Sequence, residues 1–140
     1  MKPIKTFLDS SVIIAGLASQ SGGSHKLLVL VELKIIKAFV SEYVVSEVYH
    51  NIEKKMPDLI DKTYLLFSRL PFVLIDPDHG SLKFAESMIN AKDAPVLAAA
   101  VSGNVDWLIT LDRHFLNQPW QNRLKFDLGT PGQFLANFFS

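Results

Sequence analysis

Two short stretches place an acid where an apolar run stops. IKTFLDSSVI sets Asp9 after residues 4–8, and DWLITLDRHF sets Asp112 just after Leu108, Ile109 and Thr110. If both runs are strands of one parallel sheet, both carboxylates stand at carboxyl ends. Open α/β sheets bind their ligands there, where the strand order reverses. Two carboxylates sharing a crevice repel unless a cation or a proton lies between them. Hard oxygen ligands suit Mg2+ or Mn2+, so the chemistry on offer is that of a divalent cation held between strand ends.

Each acid also has a plain structural use. Asp9 precedes SSVIIAGL and suits a helix N-cap as well as it suits a ligand. Asp112 can be a turn aspartate before Arg113 and His114, although Thr110 and Asp112 fall where a cleft would open. Asp93, ahead of Ala94 and Pro95, has the form of an N-cap, and the residues alone favour that use. Glu47 lies opposite the apolar row Val45, Val48, Tyr49 and Ile52 by helical period, which points it to solvent. Asp58, Asp61, Glu53 and Glu86 are surface charges by the same reasoning. Of the basic residues, only Lys92, Arg113 and His114 adjoin the acids in sequence.

Other chemistries find little support. SGGSHK lacks the spacing of a phosphate-binding loop and follows no strand. The histidines at 25, 50, 79 and 114 have no zinc-binding spacing, and there is no nucleophile elbow.

The elements that must position these residues alternate. Strands are expected over 4–8, 35–40, 72–75, 107–110 and 124–128. Helices are expected over 10–17, over HKLLVLVEL with Ser24 as its cap, from Ser41 to about Met56, and from Pro57 to Arg69 with Leu59, Leu65, Leu66 and Leu70 inward. Further helices are expected over 81–89, over the alanine-rich stretch after Asp93, and over 130–139. Phe134, Leu135, Phe138 and Phe139 read as core, with a subunit contact as the lesser reading. Short, mostly unalternating strands between helices indicate an α/β domain whose parallel sheet is covered on both faces.

The 140 residues suffice for one domain with a substantial core, and a hydrophobic share of 49% argues against disorder. Zero net charge gives no global pull toward nucleic acid or anionic membrane. The chain has no cysteine, so disulfides and thiolate metal sites are impossible and a reducing compartment is expected. LLVLVELKIIKAFV carries Glu32, Lys34 and Lys37 and cannot span a bilayer. A soluble, cytoplasmic domain is the expectation.

Taken in order, FLDSSVIIAG, VVSEVYHNI, KDAPVLAAA and DWLITLDRHF resemble the PIN domain family, in the style of the VapC-type ribonucleases of toxin–antitoxin pairs. The resemblance implies a single three-layer α/β domain over residues 1–140, with a central parallel sheet of order 3-2-1-4-5 flanked by helices. It implies an acidic cluster that binds Mg2+ or Mn2+ and hydrolyses RNA, leaving a 5′ phosphate and a 3′ hydroxyl. Asp9, Glu47, Asp93 and Asp112 match the family's catalytic and metal-binding acids, and Ser11 and Thr110 match hydroxyl positions beside the first and last. His114 stands where many members carry another acid. Arg113 and Lys92 are the candidate phosphate contacts. The implied partners are RNA, a cognate antitoxin protein and a second copy of the chain, with no membrane. The alternative is a catalytically silent PIN-like module that binds RNA or protein, and the presence of all four acids counts against it. A phosphorylated receiver needs an acidic pair and a dehalogenase-type phosphatase needs D-x-D near the first strand. Asp9 is followed instead by Ser10 and Ser11.

Overall fold

The computed structural model describes residues 2–140, except the side chain of Asn122. In chain order the elements are β1 (Lys5–Leu8), α1 (Ser10–Ala18), α2 (Gly23–Glu32), β2 (Lys37–Val40), α3 (Glu42–Lys55), α4 (Ile60–Arg69) and β3 (Val73–Leu74). They continue with α5 (His79–Met88), α6 (Ala94–Ser102), β4 (Trp107–Ile109), α7 (Arg113–Leu116), β5 (Asp127–Gly129) and α8 (Pro131–Phe138). All strand pairs are parallel and the order is β3-β2-β1-β4-β5, as expected. The chain works outward from β1 through β2 to β3, then returns to the other side of β1. The order therefore reverses between β1 and β4.

Successive residues are buried in the central strands: Thr6, Phe7 and Leu8 in β1, Ala38, Phe39 and Val40 in β2, Leu108 and Ile109 in β4. A strand buried on consecutive residues has both its faces covered. Helix α1 packs on α2 and α3, and α5 packs on α6. The first contact is close because of Gly16, where a Cβ would come within 2.4 Å of Leu28 Cδ1. Helix α6 buries Ala94 and the run Val96–Ala100. Its small side chains let neighbouring elements approach it on several sides.

Several expectations are corrected. Ser24 does not cap α2: the helix begins one residue earlier, with Gly22 at the N-cap and Ser24 buried inside it. Pro57 opens a 3-10 turn, Pro57–Leu59, rather than the α-helix itself. Leu65 is 49% exposed, because α4 turns Thr63, Leu66 and Phe67 toward the body instead. The last strand starts later than expected. A 3-10 turn occupies Gln121–Arg123, and pairing begins only where the Asp127 N–H reaches the Asp106 carbonyl. In α8, Phe134 is buried but Phe139 is 68% exposed and is not core. Ser41 does cap α3, its side chain accepting the Val44 N–H, and Thr130 with Gln133 forms a capping box on α8. No described helix is long and apolar enough to cross a membrane.

Candidate active site

The register of the sheet brings the first and last acids together. Leu8 faces Ile109 across the β1–β4 pair, so the chain leaves the sheet at Asp9 on one strand and Thr110 on its neighbour. The Asp9 N–H continues the ladder to the Ile109 carbonyl at 3.0 Å. Asp112 follows two residues on, at the start of α7. A cavity of about 230 Å3 opens there, lined by Asp9, Ser10, Ser11, Glu47, Lys92, Asp93, Val96, Asp112 and Phe115. All four acids singled out in the sequence line it.

Asp9 is 8% exposed. Its Oδ1 accepts the Ser10 N–H at 2.8 Å, and its Oδ2 accepts the hydroxyls of Thr110 at 2.7 Å and Ser11 at 3.0 Å. Those hydroxyls are oriented from behind: Thr110 Oγ1 accepts the Asp112 N–H at 3.0 Å and Ser11 Oγ accepts the Leu111 N–H at 3.1 Å. Both O–H groups thus face an acceptor. Burial raises the Asp9 pKa, and these bonds, which favour the anion, work against it; the charge of Asp112 adds to the rise. Asp9 does meet one N–H of α1, but a cap on the helix surface would not be buried beneath two hydroxyls.

Glu47 is not on a solvated face. The buried row of α3 is Val44, Val48 and Ile52 rather than one starting at Val45, and Glu47 flanks it half-buried. Its Oε1 accepts the Ser10 hydroxyl at 3.2 Å. Burial and the charge of Asp9 raise its pKa, opposed by the Ser10 bond and by Lys92. The hydroxyl of Tyr43 donates to the Lys92 carbonyl at 3.3 Å, and its pKa is raised by burial and by Glu47, Asp93 and Asp9.

Asp93 occupies the N-cap position of α6 but its side chain caps nothing. Pro95, in the first turn, has no N–H to offer it. The Asp93 carboxylate instead accepts from the Asn90 amide at 3.1 Å. Asp112 accepts the His114 N–H at 2.9 Å, so the turn role read in the sequence is real and coexists with its place in the cavity. Lys92 lines the cavity, whereas Arg113 is exposed and does not. Ser10, Tyr43 and Asn90 escaped the sequence reading. Asn90 has a local signal, the N-x-x-D spacing to Asp93 that suits an asparagine turn.

An oxygen-only set of four carboxylates, opposed in the cavity by Lys92 alone, fits a hard divalent cation in chemistry and in charge. As posed, the acids are spread around the opening. Among the described residues no three His, Asp or Glu side chains are gathered closely enough to hold an ion. The donor set fits the cation, and its closure would need side-chain movement.

Thr110→Val tests the network behind Asp9. Valine matches the shape but removes one donor to Asp9 and one acceptor for the Asp112 N–H in a fully buried position. A loss of about 1–3 kcal/mol of stability is expected in urea unfolding, with Thr110→Ser recovering most of it.

The PIN domain family model matches residues 5–114, and the chain belongs to the PIN domain family. No curated protein matches it in sequence. Among solved structures it is similar to VapBC2 from Rickettsia felis bound to a promoter DNA fragment, with TM-score 0.66, 16% identity, and coverage of 91% of this chain and 98% of that chain. It is also similar to the DNA-bound VapBC from Salmonella typhimurium, with TM-score 0.65, 14% identity and the same coverages, 91% and 98%. A third is VapC20 of Mycobacterium tuberculosis, a toxin that cleaves the sarcin–ricin loop, with TM-score 0.52, 12% identity, and coverage of 81% and 95%. At these identities the likeness is one of fold.

Proposed function

We propose that this chain is a divalent-metal-dependent ribonuclease and the toxin component of a toxin–antitoxin pair. The observation that carries the reading is that Asp9, Glu47, Asp93 and Asp112, drawn from four separate places in the chain, line one cavity at the reversal point of the sheet. Asp9, Asp93 and Asp112 would hold Mg2+ or Mn2+, with Glu47 completing the set or orienting a water. When bound, such a cation makes water a better nucleophile and offsets charge developing on phosphorus. The hydroxyls of Ser11 and Thr110 favour the anion of Asp9 against the effect of burial and hold it at the cavity wall. The Ser10 hydroxyl donates to Glu47 and holds it at the same opening, where it would complete the ligand set or orient a water. Lys92, in the lining, and Arg113, exposed beside Asp112 and outside the lining, remain the candidate phosphate contacts.

VapBC neighbours support an antitoxin protein as partner. An apolar cleft of about 330 Å3 between α1, α2 and α4, with Leu65 and Val29 at its exposed edge, is a surface such a partner could cover. The spread of the acids favours a second reading, a PIN-like module that binds without cutting. Incubation of the purified protein with a mixed RNA pool in Mg2+, in Mn2+ and in chelator separates the two. Cleavage that disappears with chelator is expected. Equal cleavage in chelator would sink the metal mechanism, and no cleavage of any RNA would put the binding module ahead.

A further inference from the structure

Among the described residues, Asp93 is the one acid of the cavity whose carboxylate accepts from no backbone N–H or hydroxyl; its partner is the side chain of Asn90. Asn90 Oδ1 accepts the Asp93 N–H at 3.0 Å, and Asn90 Nδ2 donates to Asp93 Oδ2 at 3.1 Å. The amide orientation follows from these neighbours, since its oxygen must face the N–H and its nitrogen the carboxylate. The same Nδ2 lies 3.4 Å from His114 Nε2, on the turn that begins at Asp112. One amide therefore touches the loop that carries Asp93 and the helix that Asp112 caps. Asn90 also lines a separate pocket with His114 and Gln118.

We infer that Asn90 is a positioning residue: it turns the Asp93 carboxylate toward the cleft and couples it to the Asp112 turn, so that the spread acids can close on a divalent cation. The inference rests on the metal-dependent reading above and deepens it. The backbone argues against a merely local role. The Asn90 carbonyl already accepts the N–H groups of Asp93 at 3.2 Å and Ala94 at 3.0 Å, so the turn is closed without the side chain. Nor is the Asp93 carboxylate engaged as a cap, since it accepts no N–H of α6.

The test measures Mn2+ binding directly, from the paramagnetic resonance signal of free Mn2+, for wild type, Asn90→Ala and Asn90→Ser, with RNA cleavage and a thermal melt of each. Serine can accept the Asp93 N–H in a turn but is shorter and lacks the amide donor; it is the variant to use if alanine fails to fold. Loss of such an outer partner typically weakens metal affinity about 10–100-fold. A rise of that size in the Mn2+ dissociation constant is expected in both variants, with cleavage recovering at saturating Mn2+. Unchanged Mn2+ affinity, whatever happens to the melt, would overturn the role of Asn90 and leave the nuclease reading standing. A wild type that binds Mn2+ but cuts no RNA, with weakened binding in the variants, would keep Asn90 and remove the nuclease. A wild type that binds no Mn2+ would remove both.

Discussion

Replacing Asp112 by asparagine is expected to reduce metal-dependent RNA cleavage by roughly 100-fold or more, the scale of losing one preorganised charge at a reacting centre. Asp58→Asn should cut like wild type. The structure makes the comparison a clean one. The fold-supporting bond of Asp112 is the one from the His114 N–H at 2.9 Å. Asparagine offers the same acceptor and caps about as well as aspartate. The substitution therefore spares the turn while removing the charge and one of the two oxygens that a hard cation could use. Asp58 sits exposed on the 3-10 turn ahead of α4, away from the cavity lining. If Asp112 is a turn residue and nothing more, the two variants will have the same activity in a time course with Mn2+. That result would mean the wrong acids have been chosen.

The parts of the site that were legible are those fixed by sheet geometry. An acid directly after an apolar run declares itself at a strand's carboxyl end, which makes Asp9 and Asp112 candidates from the residues, Asp9 equally as an N-cap; the pairing of β1 with β4 brings both to one cavity. Helical period points Glu47 to solvent, and only the resemblance selects it, because α3 carries two overlapping apolar rows. Val45, Val48, Tyr49 and Ile52 satisfy the helical period as well as Val44, Val48 and Ile52 do, and only contact with the rest of the molecule selects the second. That choice moves Glu47 from the far side of the helix to the edge of the cleft. Asp93 has the residue type and position of a cap, and only the structure shows that its side chain bonds the Asn90 amide instead of an N–H of α6. Ser10 meets Glu47 through a single hydrogen bond between side chains, and no periodicity or composition marks such a contact. Asn90 carries only the weak local signal of its spacing to Asp93.

The metal-free protein is expected to melt at a higher temperature with Asp9→Asn than without it at neutral pH. In wild type a nearly buried carboxylate must be ionised close to Asp112, and burial lifts its pKa despite bonds from Thr110, Ser11 and Ser10. A carboxylate whose pKa is raised by folding stabilises the fold when protonated, and that stability is lost as pH rises through the folded value. The gap between variant and wild type should therefore be full above the folded pKa of Asp9. It should close as pH falls toward the ordinary value of 3.8. Part of the gain is offset, since asparagine accepts with one atom only and turns a donor toward hydroxyls that were aimed at an anion. Added Mn2+ reverses the order. A ligand that binds only the folded state at a hundredfold excess over its dissociation constant contributes about 2.7 kcal/mol. For a chain of this length that is about 8–10 °C in melting temperature. Wild type should gain it and Asp9→Asn much less, because the charge and one ligand are gone. Melts of both proteins across pH, with and without Mn2+, read these effects separately. If Asp9 only capped α1, asparagine would serve equally well, and the two proteins would melt together at every pH and respond alike to Mn2+. That outcome would remove Asp9 from the site, and with it the argument that the acids at the ends of β1 and β4 exist to share a cation.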